Sequence, residues 1–209
     1  ERLAPRTREH GVMVDIFEVG VLLQGPSGIG KSECALELVM RGHRLVADDV
    51  VEFDYRPPGV VFGAAAPLLQ YHIEVRGLGI LNIKDLYGVT AVRERKRLDL
   101  VVQLELERED GEYDRIGLDD RRREVLGVPV REVCVPVRPG RNVSAIIEIA
   151  ARNELLRQAG HHPAARFVER IEAGLGVGPS SSEAPFGPGG APTVPTTESS
   201  APPASGEQR

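Results

Sequence analysis

Apolar positions along the chain fall into two periods. GVMVDIF (11–17) and GVLLQ (20–24) are short apolar runs rich in β-branched residues, and they predict two strands. Helical spacing follows over 32–41, with Ala35, Leu38 and Val39 on one face and Gly42 as a natural stop. HRLVADDVVEF (43–53) is strand-like but is interrupted by two aspartates. LDLVVQLELE (98–107) alternates and predicts a strand. VLGVPV (125–130) and EVCVPV (132–137) are also β-like, and Pro129 and Pro136 suit strand ends or edges. A helical pattern returns from Asn142 to about Ala159 through Ile146, Ile147, Ala150 and Leu155, and a second helix is predicted from about Pro163 to Ala173. There is no internal repeat. Strands mixed with helices in one unit predict an α/β fold.

Composition changes this picture in one place. From Val177 to Arg209 the chain holds seven of its sixteen prolines and almost no apolar residues. Such a stretch cannot bury enough surface to offset its ordering entropy, and the expectation is a disordered Pro/Ser/Gly-rich tail over 176–209. The rest of the 209 residues suffices for one domain, expected over 10–175 with a lead-in over 1–9. The chain opens on Glu1, not Met, so an upstream part is expected to be missing. Net charge is −5, which argues against a nucleic-acid partner. No apolar run reaches the length of a bilayer span and no signal peptide precedes the first strand, so a cytoplasmic protein without a membrane partner is expected. Cys34 and Cys134 show no ligand spacing and are expected as reduced core residues.

The chemistry begins at Gly25-Pro26-Ser27-Gly28-Ile29-Gly30-Lys31-Ser32, which matches GxxxxGK followed by Ser or Thr. Glycines let successive N–H groups turn into one concavity, and the helix that starts near Lys31 adds its positive end. Lys31 reaches outer phosphates as a point charge, and the Ser32 hydroxyl suits Mg²⁺. The motif sits between a predicted strand and a predicted helix, which is the context it needs. The competing account is a glycine-rich turn with a coincidental Lys-Ser pair.

A nucleotide site wants carboxylates near the metal, and Asp48 and Asp49 are the first candidates. Strand alternation would aim them at opposite faces, one toward Mg²⁺ or its waters and one toward the proton of an attacking hydroxyl. The competing account is an exposed Asp-Asp bend. Glu74 and Arg76 precede Gly77-Leu78-Gly79, as a charged pair at a strand end before a tight turn. Taken alone they are more often a solvated surface pair. Asn82 stands where GxGxxG needs its third glycine, so this is no dinucleotide fingerprint. The basic stretches at 93–97 and 121–123 are expected as solvated turns without interleaved aromatics. His43 follows a helix end, His72 precedes the Glu74 cluster, and His161-His162-Pro163 suits an inter-helix turn.

Together these residues resemble one family, the catalytic C-terminal domain of HPr kinase/phosphorylase, bacterial enzymes that act on the phosphocarrier protein HPr. The resemblance rests on EHGVMVDIFEVGVLL, GPSGIGKSE, ELVMRGHRLVADDVVE, IEVRGLGILNIKDLYG, AVRERKRLDLVVQLE, YDRIG and VPVRPGRN, in that order, over roughly residues 9–155. IEVRGLGILNIKDLYG is the most specific of them. The resemblance implies a P-loop kinase domain of the phosphoenolpyruvate-carboxykinase-like variant, with a mixed sheet and C-terminal helices. It implies that Gly25–Ser32 binds the phosphates of ATP, or pyrophosphate, with Mg²⁺ on Ser32 and Glu74. Lys31 and Asp49 would be catalytic, Asp49 taking the proton of the HPr serine and returning it in the reverse step. His10, just ahead of the first strand, matches a catalytic histidine and Arg115 a catalytic arginine. Asp48 and Arg76 would support them. Pro136, Val137, Arg138, Pro139, Gly140 and Arg141 match a segment linked to dephosphorylation. The family further implies control of bacterial carbon metabolism and a homohexamer. Family members usually carry an upstream regulatory domain, which is expected to be absent from these 209 residues, and the Pro/Ser-rich tail is not part of the family pattern. Two alternatives stay open: a kinase of the same fold with a different protein or small-molecule acceptor, and a nucleotide-binding regulatory module that no longer catalyses. His10, Asp49, Glu74 and Arg115 count against the second.

Overall fold

A computed structural model describes residues 5–107 and 120–174 of the chain. The chain divides into two compact units, Glu1–Arg170 and Ile171–Arg209. Nearly all of the second unit, and with it the expected tail, lies outside the described residues.

The centre of the first unit is a mixed six-stranded sheet. Its strands, in spatial order, are β11 (Arg122–Val125), β12 (Val128–Val137), β10 (Leu100–Leu106), β3 (Val19–Gln24), β2 (Val12–Ile16) and β4 (Arg44–Ala47). β12, β10 and β3 run parallel, and the remaining pairs are antiparallel. A second, antiparallel sheet is built from β1 (Arg6–His10), β5 (Val50–Arg56), β6 (Val60–Ala65) and β9 (Arg95–Arg97). β7 (His72–Val75) and β8 (Gly79–Asn82) form a separate hairpin. The helices are α1 (Lys31–Met40), the single turn α2 (Ile83–Tyr87), α3 (Val143–Gln158) and α4 (Pro163–Gly174).

β2 and β3 are apolar at nearly every position because both faces of the central sheet are covered. Val12, Val14, Ile16, Val19, Val21 and Leu23 pack with Ala35, Leu38 and Val39 of α1 and with Ile147 and Ala151 of α3. Met13 and Leu22, on the opposite face, pack with Val51, Phe53 and Val61 of the second sheet. The result is three layers: helices, central sheet, second sheet. Each fully buried large side chain contributes roughly 1.5–3 kcal/mol of transfer free energy.

Two expectations change here. The basic stretch 93–97 is no solvated turn. Lys96, on β9, is buried, with its Nζ 2.9 Å from Glu18 and 3.6 Å from buried Asp15, and Arg93 lies 2.7 Å from Asp15. The cations are used inside, against an aspartate on β2, where no local pattern announces them. Residues 6–9, expected as a lead-in, instead form β1 with His10 and pair with β5. Pro129 and Pro136 do fall next to the ends of β12, and the ladder to β11 reaches only Val128–Arg131.

β3, β10 and β12 all end at one edge: Gln24 lies opposite Gln103, Leu104 opposite Val135, and Leu106 opposite Val137. Ligand sites of α/β sheets gather at the carboxyl ends of parallel strands.

Candidate active site

Immediately after β3 the chain enters the glycine loop. Gly25, Gly28 and Gly30 have φ of +147°, +80° and +99°. At Gly25 a Cβ would stand 2.5 Å from the Leu104 carbonyl oxygen, so only glycine lets the loop leave the sheet against β10. α1 then begins at Lys31, with left-handed Gly30 as its cap and no side chain on its first N–H groups. Those donors, at the positive end of the helix, are free for an anion. Lys31 Nζ donates to the carbonyls of Gly25 (2.9 Å) and Pro26 (3.0 Å) and closes the loop on itself.

Ser32, one residue into α1, donates its hydroxyl to Asp48 Oδ1 at 2.9 Å. The other carboxyl oxygen, Oδ2, accepts the Glu74 N–H at 2.9 Å. Asp48 thus ties the start of α1 to β7. Burial pushes its carboxyl above the usual range, against the pull of these hydrogen bonds. Because Ser32 gives its proton to Asp48, its oxygen lone pairs are left for a cation. Ser32, Asp48 and Glu74 line one cavity of about 170 Å³ together with Gly28, Lys31, Asp49 and Arg76. Glu74 and Arg76, a surface pair on local pattern alone, therefore both face the glycine loop.

The donor set is a hydroxyl and carboxylates, all hard oxygen. Among the described residues, no group of three or more His, Cys, Asp or Glu converges as a metal cage. Mg²⁺ asks for no such cage: one or two carboxylates with phosphate oxygens and waters suffice. The residues fit that ion.

Asp48 and Asp49 do not alternate along one strand. β4 stops at Ala47 and β5 starts at Val50 in the other sheet. Between them Val50 N–H donates to Asp48 O (2.8 Å) around Asp49, whose φ is +66°. This is a γ-turn of the positive-φ hand, which is rare and strained. The turn separates the two carboxylates by burial: Asp48 is inside, and the Asp49 side chain is 76% exposed at the cavity mouth. The bend expectation therefore holds for Asp49, and the two carboxylates differ in burial because of this turn and not because of strand alternation.

His10 stands beside it, with Nδ1 3.8 Å from Asp49 Oδ1. It is the last residue of β1, opposite Val50, and so lies within a strand. Gly11 N–H, the next donor along the chain, holds the Asp49 carbonyl at 2.9 Å. Behind His10 lies a polar cluster that sequence reasoning missed. Gln24 Nε2 donates to Glu9 (3.0 Å) and to the His10 carbonyl (3.2 Å). Arg123 donates to Gln24 Oε1 and pairs with Glu9 at 3.1 Å. The available signal was Gln24 itself, a buried amide closing an apolar strand just before the glycine loop.

Pro136 and Val137 end β12 at the same sheet edge. Arg138 and Arg141 both reach Glu107, at 3.3 and 3.6 Å, across the turn made by Pro139 and Gly140. Arg115 and its motif YDRIG lie outside the described residues. A larger cavity, about 330 Å³, lies at the opposite edge, by the starts of β10 and β12. Its arginines are already matched: Arg97 with Asp99, Arg131 with Glu154, Arg157 with Asp120. His43 is buried against Phe17, with Glu148 3.7 Å away, and does not cap a helix from solvent. Cys34 is in the core, but Cys134 is half-buried, and its sulfur accepts from Arg121 at 3.7 Å.

Comparison with known proteins follows the same lines. The model of the HPr Serine kinase C-terminal domain matches residues 1–171, and the chain belongs to that family. It is 52% identical over 183 residues to the HPr kinase/phosphorylase of Geobacter sulfurreducens, covering 88% of this chain and 57% of that protein. Against the HPr kinase/phosphorylase of Leptospira biflexa the figures are 48% over 171 residues, 81% and 53%. The chain thus spans a little over half the length of these relatives. The solved Hpr(Ser) kinase/phosphatase of Coxiella burnetii superposes with a TM-score of 0.69 at 31% identity, over 77% of this chain and 98% of that one. Among the described residues, no helix is long and apolar enough to cross a membrane.

Proposed function

We propose that this chain is the catalytic domain of a bifunctional kinase/phosphorylase that phosphorylates a serine of HPr with ATP or pyrophosphate and reverses the reaction with inorganic phosphate. The observation that carries this reading is the juxtaposition of the glycine loop with Asp49, held in a strained turn at the mouth of the same cavity. A short polar cavity with phosphate donors on one side and an exposed carboxylate on the other suits transfer from a phosphate chain to a hydroxyl. The relatives, which are HPr kinases, point to HPr as the acceptor.

The loop Gly25–Ser32 acts as the P-loop of a phosphoenolpyruvate-carboxykinase-like kinase and binds donor phosphates. Ser32 and Glu74 would hold Mg²⁺, and the hydrogen bond from the Ser32 hydroxyl to Asp48 would leave the hydroxyl lone pairs for it. The bound ion would neutralise charge on the phosphates. Lys31 turns from its two loop carbonyls to the outer phosphates. Asp49 accepts the proton of the attacking serine hydroxyl, and His10 sets the charge beside that carboxylate. In the reverse step, phosphate occupies the cradle and protonated Asp49 returns its proton to the leaving serine oxygen. The segment Pro136–Arg141 serves the reverse step, and Arg115 meets the transferred group. The catalytic domain, expected over 10–175, takes in β1 as well, and a homohexamer in the bacterial cytoplasm follows from the family.

Intact-mass spectrometry of HPr incubated with this chain, Mg²⁺ and ATP, then with excess phosphate, tests the reading. One phosphoryl group gained on serine, then lost with release of pyrophosphate, is expected. ATP binding without any gain on HPr would overturn it.

A further inference from the structure

The chain passes between the two sheets at two points beside the cavity: from β1 to β2 at His10–Gly11, and from β4 to β5 at Asp48–Asp49. The two crossings are tied to each other. His10 lies opposite Val50, and the Gly11 N–H donates to the Asp49 carbonyl at 2.9 Å. They carry the two groups given the proton step, with His10 Nδ1 3.8 Å from Asp49 Oδ1. The glycine loop given the phosphates leaves a different strand, β3, after Gln24. Transfer needs the two parts held in fixed relation, and Gln24 is a side chain that spans them.

The Gln24 backbone runs directly into Gly25, and its side chain is buried. Nε2 donates to the His10 carbonyl at 3.2 Å and to Glu9 Oε2 at 3.0 Å. Gly11 makes room for it: a Cβ there would stand 3.3 Å from Gln24 Cγ and 2.7 Å from the Leu23 carbonyl oxygen. Arg123, on β11, donates to Gln24 Oε1 and pairs with Glu9 at 3.1 Å. A guanidinium can only donate, so it selects the amide oxygen and turns the NH₂ group toward His10. Burying an amide at the end of an apolar strand costs free energy until its partners are supplied, a cost that Leu or Val in its place would not carry. Here both ends of the amide are engaged, by segments far apart in the chain, and it is held in one orientation.

We infer that Gln24, locked by Arg123 and Glu9, is a positioning residue for phosphoryl transfer that sets the place of the His10–Asp49 pair relative to the glycine loop. The inference rests on the phosphotransfer reading above. Gln24 is not among the residues that line the cavity. It acts through the His10 carbonyl, and the next N–H along the chain, that of Gly11, holds Asp49. Without the amide the crossing at His10–Gly11 loses an anchor, and Asp49 shifts against the bound donor. A displacement of roughly 1 Å in such a site costs about 10²-fold in rate.

The test is single-turnover transfer to HPr at saturating ATP by wild type, Gln24→Met, Asp49→Asn and the double variant, with nucleotide affinity and thermal stability measured on the same samples. Methionine keeps the length of the side chain and removes its hydrogen bonds. Gln24→Met should slow transfer by about 10–10²-fold and change nucleotide affinity by less than about threefold. In the Asp49→Asn background the same change should slow transfer by less than about twofold, because a residue that acts through Asp49 then has no carboxylate to place. A general disturbance of the fold or of the glycine loop would slow both backgrounds equally. Arg123→Met, at a partly exposed site on β11, removes the lock and leaves the amide, and it serves even if Gln24→Met does not fold. Its transfer rate should fall by about threefold or more, again only where Asp49 is present. Equal losses in the two backgrounds, a loss confined to nucleotide affinity, or wild-type rates in both variants overturns the inference. Absence of transfer by the wild type, with ATP bound, overturns the phosphotransfer reading and this inference with it, and that control tells the two failures apart.

Discussion

Asp49 occupies a backbone region that costs a non-glycine residue about 1–2 kcal/mol, and a Gly in that place would be relieved of it. The strain persists because the turn is over-determined: Val50 closes it from one side, and Gly11 holds its carbonyl from the other. Asp49→Gly is therefore predicted to raise the denaturant midpoint, by an amount equivalent to roughly 1 kcal/mol, while transfer is lost. A stability gain with activity kept would deny the carboxylate its role. Cys34 makes a contrasting case. Burial in the core pushes its thiol up to about 11, so the native protein should resist alkylation at pH 8, where unfolded chain reacts fully. Fast labelling of native Cys34 would show that the packing between α1 and α3 opens readily.

At the scale of elements, α3 is fixed at its start by Asn142, whose side chain accepts the Ala145 N–H at 2.9 Å. Asn142→Ala is predicted to lower stability by about 1 kcal/mol in denaturant titration, with nucleotide affinity unchanged. The elements that surface in the sequence are those whose pattern matches their surroundings. β2, β3, α1 and α3 are apolar where they meet the core, and the glycine loop announces its own conformation. β1 and β9 were hidden because RTREH and RKR are polar, and their pairing depends on strands far along the chain. The break at Asp48–Asp49 was visible as an interruption, but its transfer of the chain to another sheet was not. The Glu9–Gln24–Arg123 cluster joins three distant segments, and no local spacing encodes it.

Across the molecule, a buried imidazole and a surface carboxylate paired with Lys96 link stability to pH. Burial holds the His43 imidazole below its ordinary pKa near 6.5, opposed by Glu148, with Arg152 and Asp15 also in its field. As pH falls through 6.5 the unfolded chain takes up a proton that the folded chain still refuses, so stability falls there and levels off below the folded value. His43→Gln should flatten this part of the profile in thermal melts between pH 7 and 5, and an unchanged profile would place the cause elsewhere. Glu18 acts further down: Lys96 holds it down at about 2, so its contribution is present above about 4.5 and is lost as pH falls toward 2. Neither group touches the cavity, and neither should alter nucleotide affinity at neutral pH.

The proposed function gives one carboxylate the proton and the glycine loop the phosphates. The most direct test is the single-turnover rate of Asp49→Asn at saturating ATP and HPr, with the nucleotide dissociation constant measured on the same protein. The account predicts a fall of about 10²–10⁴-fold in transfer with affinity nearly unchanged. Transfer by Asp49→Asn at a rate close to wild type would contradict it.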